Sequence, residues 1–377
     1  MKFALIFLIT LFPSLVFSQE QAPTSPILAA DSYALYDYTS GQFLVEQNAN
    51  VHIPPAHLTK LMTAYVIFGA IKQGKISLKQ KLIPSAYATR MQTDESRMFL
   101  SAGKEVTVEE LLRGLIVQSA NDAARVLAEK VANHEMALAD TMNSEAQRLG
   151  LKNTHFVNAT GMPDAQHYSS AHDLALLSAA LVRDFPEFYY IYAQREYQYN
   201  NINQFNRNRL LWQDPFVDGM ATAVNESEEY YMVASAKRDE RRLIAVVLGT
   251  ATDKLRSSES QRLLNHGFQN FEAIKLYSKD QPVSNKRIWK GTLKHLDIGF
   301  RTDRYITIPK GQRDALKASL ETRQPLLAPI DLGQQIGTLH LTLNDTPYLD
   351  LSVVALDDIR LANVFSRGVD NIRLLFQ

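Results

Sequence analysis

Pro54-Pro55-Ala56-His57-Leu58-Thr59-Lys60-Leu61-Met62-Thr63-Ala64-Tyr65-Val66-Ile67-Phe68 is the stretch that decides the fold. Two prolines stop any element before them and favour a helix start behind them, which predicts a helix from about His57 to Ile71. Its residues Leu61, Met62, Ala64, Tyr65, Val66 and Phe68 leave little polar face. A helix apolar all round is buried inside a domain, so other elements must surround this one.

Those elements follow in order. Tyr33 to Tyr38 and Gln42 to Val45 read as a hairpin around Thr39-Ser40-Gly41. Thr107 and Glu110 have capping-box spacing ahead of Leu111, Leu112, Leu115, Ile116 and Val117, and this helix ends near Gln118. Another begins at about Asn121, and further helical patterns cover Glu135 to Leu149 and Ala171 to Val182. Strands return at Tyr230 to Ala236 and Leu243 to Leu248, joined by Lys237 to Arg242. The expected fold is α+β, with helices packed on an antiparallel sheet over residues 19–270.

From residue 271 to 360 the pattern changes to short strands, at Arg287 to Gly291, Tyr305 to Ile308 and Thr338 to Leu343. This predicts a small all-β domain with no catalytic constellation. In residues 361–377, Val364, Phe365, Val369, Ile372, Leu375 and Phe376 fall on one helical side, opposite Ser366, Arg367, Asp370 and Arg373. Two readings fit such a helix: it lies in a membrane interface, or it docks on the β domain. At the other end, a basic start, an apolar run from Phe3 to Phe17, and small residues at Val16 and Ser18 predict a secretory signal peptide over residues 1–18.

Lysine plus arginine equals aspartate plus glutamate at 40 each, so no global field steers the chain to nucleic acid. There are no cysteines, which excludes disulfides and thiolate chemistry, and the nine histidines form no metal-binding spacing. No cofactor or metal is expected, and nothing in the sequence sets an oligomeric state.

Acyl transfer through a serine needs a nucleophile, a base, a donor that holds them, and a strand that binds the substrate carboxylate. These occur as S-x-x-K at a helix start, an S-x-N turn and a K-T-G strand. Ser119-Ala120-Asn121 supplies the second element, although alone it is an ordinary capping tripeptide. Around it stand Leu58-Thr59-Lys60-Leu61-Met62-Thr63, Gly150-Leu151-Lys152-Asn153-Thr154-His155-Phe156, His167-Tyr168-Ser169-Ser170-Ala171, Asn206-Arg207-Asn208-Arg209-Leu210-Leu211-Trp212 and Val217-Asp218-Gly219. With these blocks the chain resembles the low-molecular-mass penicillin-binding proteins, the serine-type D-alanyl-D-alanine carboxypeptidases related to class A β-lactamases. The resemblance covers nearly all of the mature chain. It implies a β-lactamase-like domain, a periplasmic location, a tail on the outer face of the inner membrane, and peptidoglycan stem peptides as the family's substrate.

The pattern breaks at the chemistry. The S-x-x-K serine maps to His57, with Lys60 in the base position. The K-T-G strand reads Ala221-Thr222-Ala223, which removes the carboxylate-holding lysine and adds a methyl where the backbone is expected to approach substrate. Glu226, Glu228 and Glu229 follow and would repel a carboxylate if they face the cleft. An imidazole cannot take the place of a serine Oγ, and acyl-imidazoles are labile. With the strand ammonium gone, Lys60 is expected to stay charged, to serve poorly as a base for Ser119, and to hydrogen-bond Ser119 and Asn121. Arg207 is either a contact for a peptide carboxylate or a structural ion pair. Three functions stay open: a non-catalytic homologue that binds a cell-wall protein partner or modulates peptidoglycan remodelling, a residual carboxypeptidase using Ser119 or His57, and a module that binds stem peptides without cleaving them.

Overall fold

Two central strands, Tyr230–Arg238 and Arg241–Thr250, are buried on both faces and organise the first domain. Along the second, Ile244, Val246 and Leu248 enter a core built with the helices, while Leu243, Ala245 and Val247 enter a core on the opposite face. That two-sided burial explains a continuous apolar run where one-sided strands alternate. The computed structural model describes residues 23–93 and 95–375. The expected signal peptide over residues 1–18, and Phe376 of the tail, lie outside them.

The five strands run in the order Gln42–Gln47, Ser32–Asp37, Arg241–Thr250, Tyr230–Arg238, Val217–Val224, all antiparallel. The hairpin turns where expected, with Gly41 at φ 78°. Helix α1, Lys60–Lys72, runs through the helical core with ten of its 13 residues buried. Its start is later than the sequence suggested, because Ala56–Thr59 forms a 3-10 turn first and Ala56 sits at φ 46°. Helix α2, Val108–Val117, opens on the expected capping box: Glu110 N donates to Thr107 Oγ1 at 3.2 Å, and Thr107 N to Glu110 Oε2 at 2.8 Å. Helix α3, Asn121–Ala132, follows at once, and Glu135–Leu149 and Ala171–Asp184 complete the layer.

One long helix was not legible in the sequence. Asp253–Asn270 covers the other face of the sheet, yet it buries Arg256, Ser257, Glu259 and Ser260 beside Leu263 and Leu264, so its apolar signal is weak. Gly267 lets it come close: a Cβ there would lie 2.6 Å from Leu243 and 2.7 Å from Leu35.

The C-terminal domain is all-β, with Leu339, Leu341 and Leu343 of strand Gln335–Leu343 in its core. Buried Asp37 ties it to the first domain, accepting from Arg241 Nε at 2.8 Å and Thr307 Oγ1 at 2.7 Å. The tail helix Val364–Leu374 docks through its polar side. Asp370 is 1% exposed and accepts from Lys290 N at 2.7 Å, while Phe365 on the opposite side is 89% exposed.

Candidate functional site

Lys60, the first residue of α1, is buried, and its Nζ donates to Thr160 O at 2.6 Å. Asn158 Oδ1 shapes the loop that presents this carbonyl, accepting from Gly161 N at 2.7 Å and Thr160 N at 3.2 Å. Gly161 takes φ 82° and passes so close to the 3-10 turn that a Cβ would meet Ala56 O at 1.9 Å. Lys60 therefore does not bond Ser119 or Asn121 among the described residues; a backbone carbonyl takes their place.

Lys60, expected to stay charged, sits where its charged form is disfavoured. Burial, then the Arg207 guanidinium, holds its pKa well below the usual lysine range, with Glu135 and Glu95 pulling the other way. Arg207 supplies a second cation beside Lys60. Its residue is exposed overall, yet its guanidinium enters the cleft, donates to Ser96 Oγ at 3.1 Å, and has its own pKa lowered by lost hydration. His57 is half-buried next to them. The charge of Lys60, then burial and Arg207, keeps its pKa well below 6.5, so the imidazole is neutral at pH 7.

Thr59 is the hydroxyl next to Lys60, and it faces elsewhere. Val157 N donates to His167 Nδ1 at 3.1 Å, which puts the ring proton on Nε2, 2.7 Å from Thr59 Oγ1. An imidazole that donates to a hydroxyl cannot also take its proton. Burial lowers the His167 pKa to about 4, so the pair is a neutral internal strut.

Ser119 sits between α2 and α3 at φ 57°. Asn121 opens α3, with its N bonded to Ser96 O at 2.8 Å. Its Nδ2 donates to Glu95 Oε2 at 2.8 Å and to Met162 Sδ at 3.6 Å, while its buried Oδ1 has no partner among the described residues. Glu95 also accepts from Arg125 Nη2 at 2.8 Å and Gln92 N at 3.1 Å. Burial opposes its ionisation, but Asn121, Gln92 and Arg125 outweigh burial and hold its pKa below the usual carboxylate value.

Ala221, Thr222 and Ala223 lie on the edge strand Val217–Val224. Ala221 and Thr222 line the cleft, but Ala223 does not: it packs in the helical core, and its carbonyl accepts from Arg256 Nη1 at 2.9 Å. The expected methyl obstruction is thus absent from the cavity walls.

The cleft consists of two cavities. One of about 20 Å³ is lined by His57, Lys60, Ser119, Arg207, Ala221 and Thr222. The other, of about 360 Å³, is lined by His57, Glu95, Asn121, Asp164, His167 and Glu226, among others. His57 borders both. The smaller holds about one water and no acyl group. A larger cavity of about 1,270 Å³ lies between the domains, beside Tyr36, Arg241 and Tyr305, and contains none of these residues. Of the groups that shape the cleft, Glu95, Thr160, His167 and Arg256 were not foreseen as such. Only His167 stood in a motif block.

Residues 19–252 match the family model described as D-alanyl-D-alanine carboxypeptidase, and residues 271–360 match that of the penicillin-binding protein 5 C-terminal domain. The chain is similar to D-alanyl-D-alanine carboxypeptidase DacA of Escherichia coli K12, 40% identical over 361 residues, covering 94% of this chain and 89% of the relative. DacC of the same strain is 38% identical over 372 residues, covering 97% and 93%. The structure of penicillin binding protein 5 from Haemophilus influenzae superposes with a TM-score of 0.86 at 39% identity, covering 89% of this chain and 99% of that one.

Proposed function

The chain belongs to the D-alanyl-D-alanine carboxypeptidase family, and on that premise we propose that it is a member that no longer performs acyl transfer and acts by binding in peptidoglycan remodelling. The observation that carries this reading is His57. In the nucleophile's position stands a neutral ring that borders both cavities and leaves the one containing Lys60 at about 20 Å³. Serine chemistry needs a hydroxyl, a base and room for an acyl carbon within reach of both. Here Thr59 is engaged by His167, and Ser119 shares with Lys60 a cavity too small for substrate. Fluorescent penicillin should give no covalent label on the purified protein. Stoichiometric labelling would sink the reading.

One observation favours a second reading, a residual carboxypeptidase. The lowered pKa of Lys60 is the condition a base requires, and Ser119 lines the same cavity. That reading requires D-alanine release from a pentapeptide, lost on Ser119→Ala.

We place the mature protein in the periplasm, peripheral on the outer face of the inner membrane. The apolar run from Phe3 to Phe17 supports export. The tail supports attachment, because Asp370 turns its polar side to the β domain while Val364, Phe365, Val369 and Ile372 face solvent. Flotation with anionic vesicles should carry the mature chain and lose it on removal of residues 361–377; equal flotation of both would refute the attachment.

A further inference from the structure

We infer that the end of the β domain that carries the tail helix is itself a bilayer-contacting surface, with Leu293 and Leu327 entering the lipid interface beside the helix. This rests on the placement of the tail at a membrane surface and adds a second element to that contact.

The tail is fastened to one hairpin. Strands Pro282–Trp289 and His295–Gly299 are joined by the turn Lys290-Gly291-Thr292-Leu293-Lys294. Thr292 N donates to Arg360 O at 2.9 Å, and Ala362 N to Lys290 O at 2.8 Å. Both ends of the turn then reach Asp370, whose Oδ2 accepts from Lys290 N at 2.7 Å and lies 3.6 Å from Lys294 Nζ. Turn and helix are therefore neighbours held through one buried carboxylate, and the helix cannot roll its apolar side inward without breaking these contacts.

The exposed apolar residues of the domain gather at the same place. Between residues 271 and 360, the large apolar side chains that stand exposed among the described residues are Leu293, Leu327 and Leu332. Leu293 is on the turn itself. Leu327 pairs with Trp289, the residue before the turn. Leu332 N donates to Asp358 Oδ1 at 2.7 Å, next to the strand end that leads into the tail. Leu361, Val364 and Phe365 continue the series into the helix. Single exposed leucines are ordinary on a protein surface. Here they collect at one end and are continuous with an amphipathic helix.

A bilayer is the partner this pattern fits. The side chains rise singly from a turn, a strand end and a loop, and line none of the cavities described above. A protein partner needs a packed central patch, whereas a lipid interface accepts separate side chains. No helix among the described residues is long and apolar enough to cross a membrane, so the contact is with its surface. Helix Val364–Leu374 has 11 residues, and interfacial binding scales with the apolar area buried, so added leucines strengthen it. Charge contributes little, because Lys290, Lys294, Arg360, Arg367 and Arg373 stand against Asp331, Asp357, Asp358 and Asp370 in these segments.

The chain has no cysteine, so a single introduced thiol can report on each position. The mature full chain carrying Leu293→Cys, Leu327→Cys, Phe365→Cys or Met136→Cys, labelled with an environment-sensitive fluorophore, is titrated with vesicles of phosphatidylethanolamine and phosphatidylglycerol. Labels in place of Leu293, Leu327 and Phe365 should shift to the blue together and keep most of the shift in about 0.5 M NaCl. The label in place of Met136, 72% exposed in the first domain, should not change. In flotation, Leu293→Asp and Leu327→Asp should each weaken partitioning about tenfold, since each gives up apolar burial and brings a charge into the interface. Both leucines are exposed, so the variants should fold, and thermal melts check this. A response at Phe365 with none at Leu293 and Leu327 keeps the tail on the membrane and overturns the inference. Silence at Phe365 removes both. An equal response at Met136, or loss of the shift in salt, would also overturn it. So would a shift that follows protein concentration without vesicles, which would assign the surface to a second copy of the chain.

Discussion

Adding Ala223→Gly to a His57→Ser/Ala221→Lys background should lower stability and give nothing to acylation. His57→Ser shortens a side chain at a residue that borders both cavities, and Ala221→Lys returns an ammonium to the wall shared with Lys60 and Arg207. At about 6 Å and an effective dielectric near 20, that ammonium acts on Lys60 with about 3 kcal/mol, driving it further toward the neutral base. Ala223 is different, being 3% exposed in the helical core and absent from both cavity linings. Deleting its methyl forfeits about 0.8 kcal/mol of burial. The freedom of a strand glycine costs about 0.5–1 kcal/mol more. A loss of about 1.5 kcal/mol shifts Tm by about 3–6 °C in a domain of this size. The assay pairs thermal melts with the rate of fluorescent penicillin labelling for the double and triple variants. Labelling rates within about threefold are expected, a difference of under 1 kcal/mol. A triple variant that labels ten times faster would show that the methyl blocks substrate and that its assignment to the core is mistaken.

Two further outcomes follow from the same geometry. His167 is held neutral to about pH 4 by burial, against an unfolded value near 6.5. Above pH 6.5 both states are neutral, and as pH falls from there the unfolded chain takes the proton first, so stability drops by about 3 kcal/mol by pH 4. Urea titrations at pH 7 and pH 4 should show that drop reduced in His167→Gln. Arg256→Ala removes a charged hydrogen bond to Ala223 O and the guanidinium from the face of Tyr230. It should cost about 2–3 kcal/mol in a urea melt; a loss under 0.5 kcal/mol would mean the Arg256 contacts do not secure the edge strand.

What could be read from the sequence depended on how local its cause was. The Thr107–Glu110 box, the turn at Gly41 and the apolar surface of α1 are all set within a few residues; the first two stand where expected, and α1 begins at Lys60 instead of His57. The helix Asp253–Asn270 left little trace, because Arg256 and Glu259 are buried by distant partners and not by an apolar stripe. In the cleft, residue types identified the damaged positions but not their contacts. The partner of Lys60 is a backbone carbonyl 100 residues away, which no side chain announces. The partner of Asn121 is Glu95, brought to it across 26 residues by the start of α3. Ala223 lies on the same strand face as Ala221, two residues on, so its place in the core and not at the cleft follows from where an edge strand of unpredicted pairing runs past the helices.

His57 is then better understood as packing than as a relic. A serine at this position would leave the space now filled by the imidazole, between a buried lysine and an arginine guanidinium. Voids in a core cost roughly 24 cal/mol per Å³, so a gap of about 50 Å³ would cost about 1 kcal/mol. It would also let water reach Lys60 and relieve its desolvation, which opposes that cost. Because the ring is neutral, it fills the space without adding a third charge. If filling outweighs hydration, His57→Ser should lower the melting temperature by about 2–4 °C while reopening the cleft, the trade between stability and activity expected at a catalytic site. A rise in melting temperature would mean that the histidine is maintained at a cost to stability.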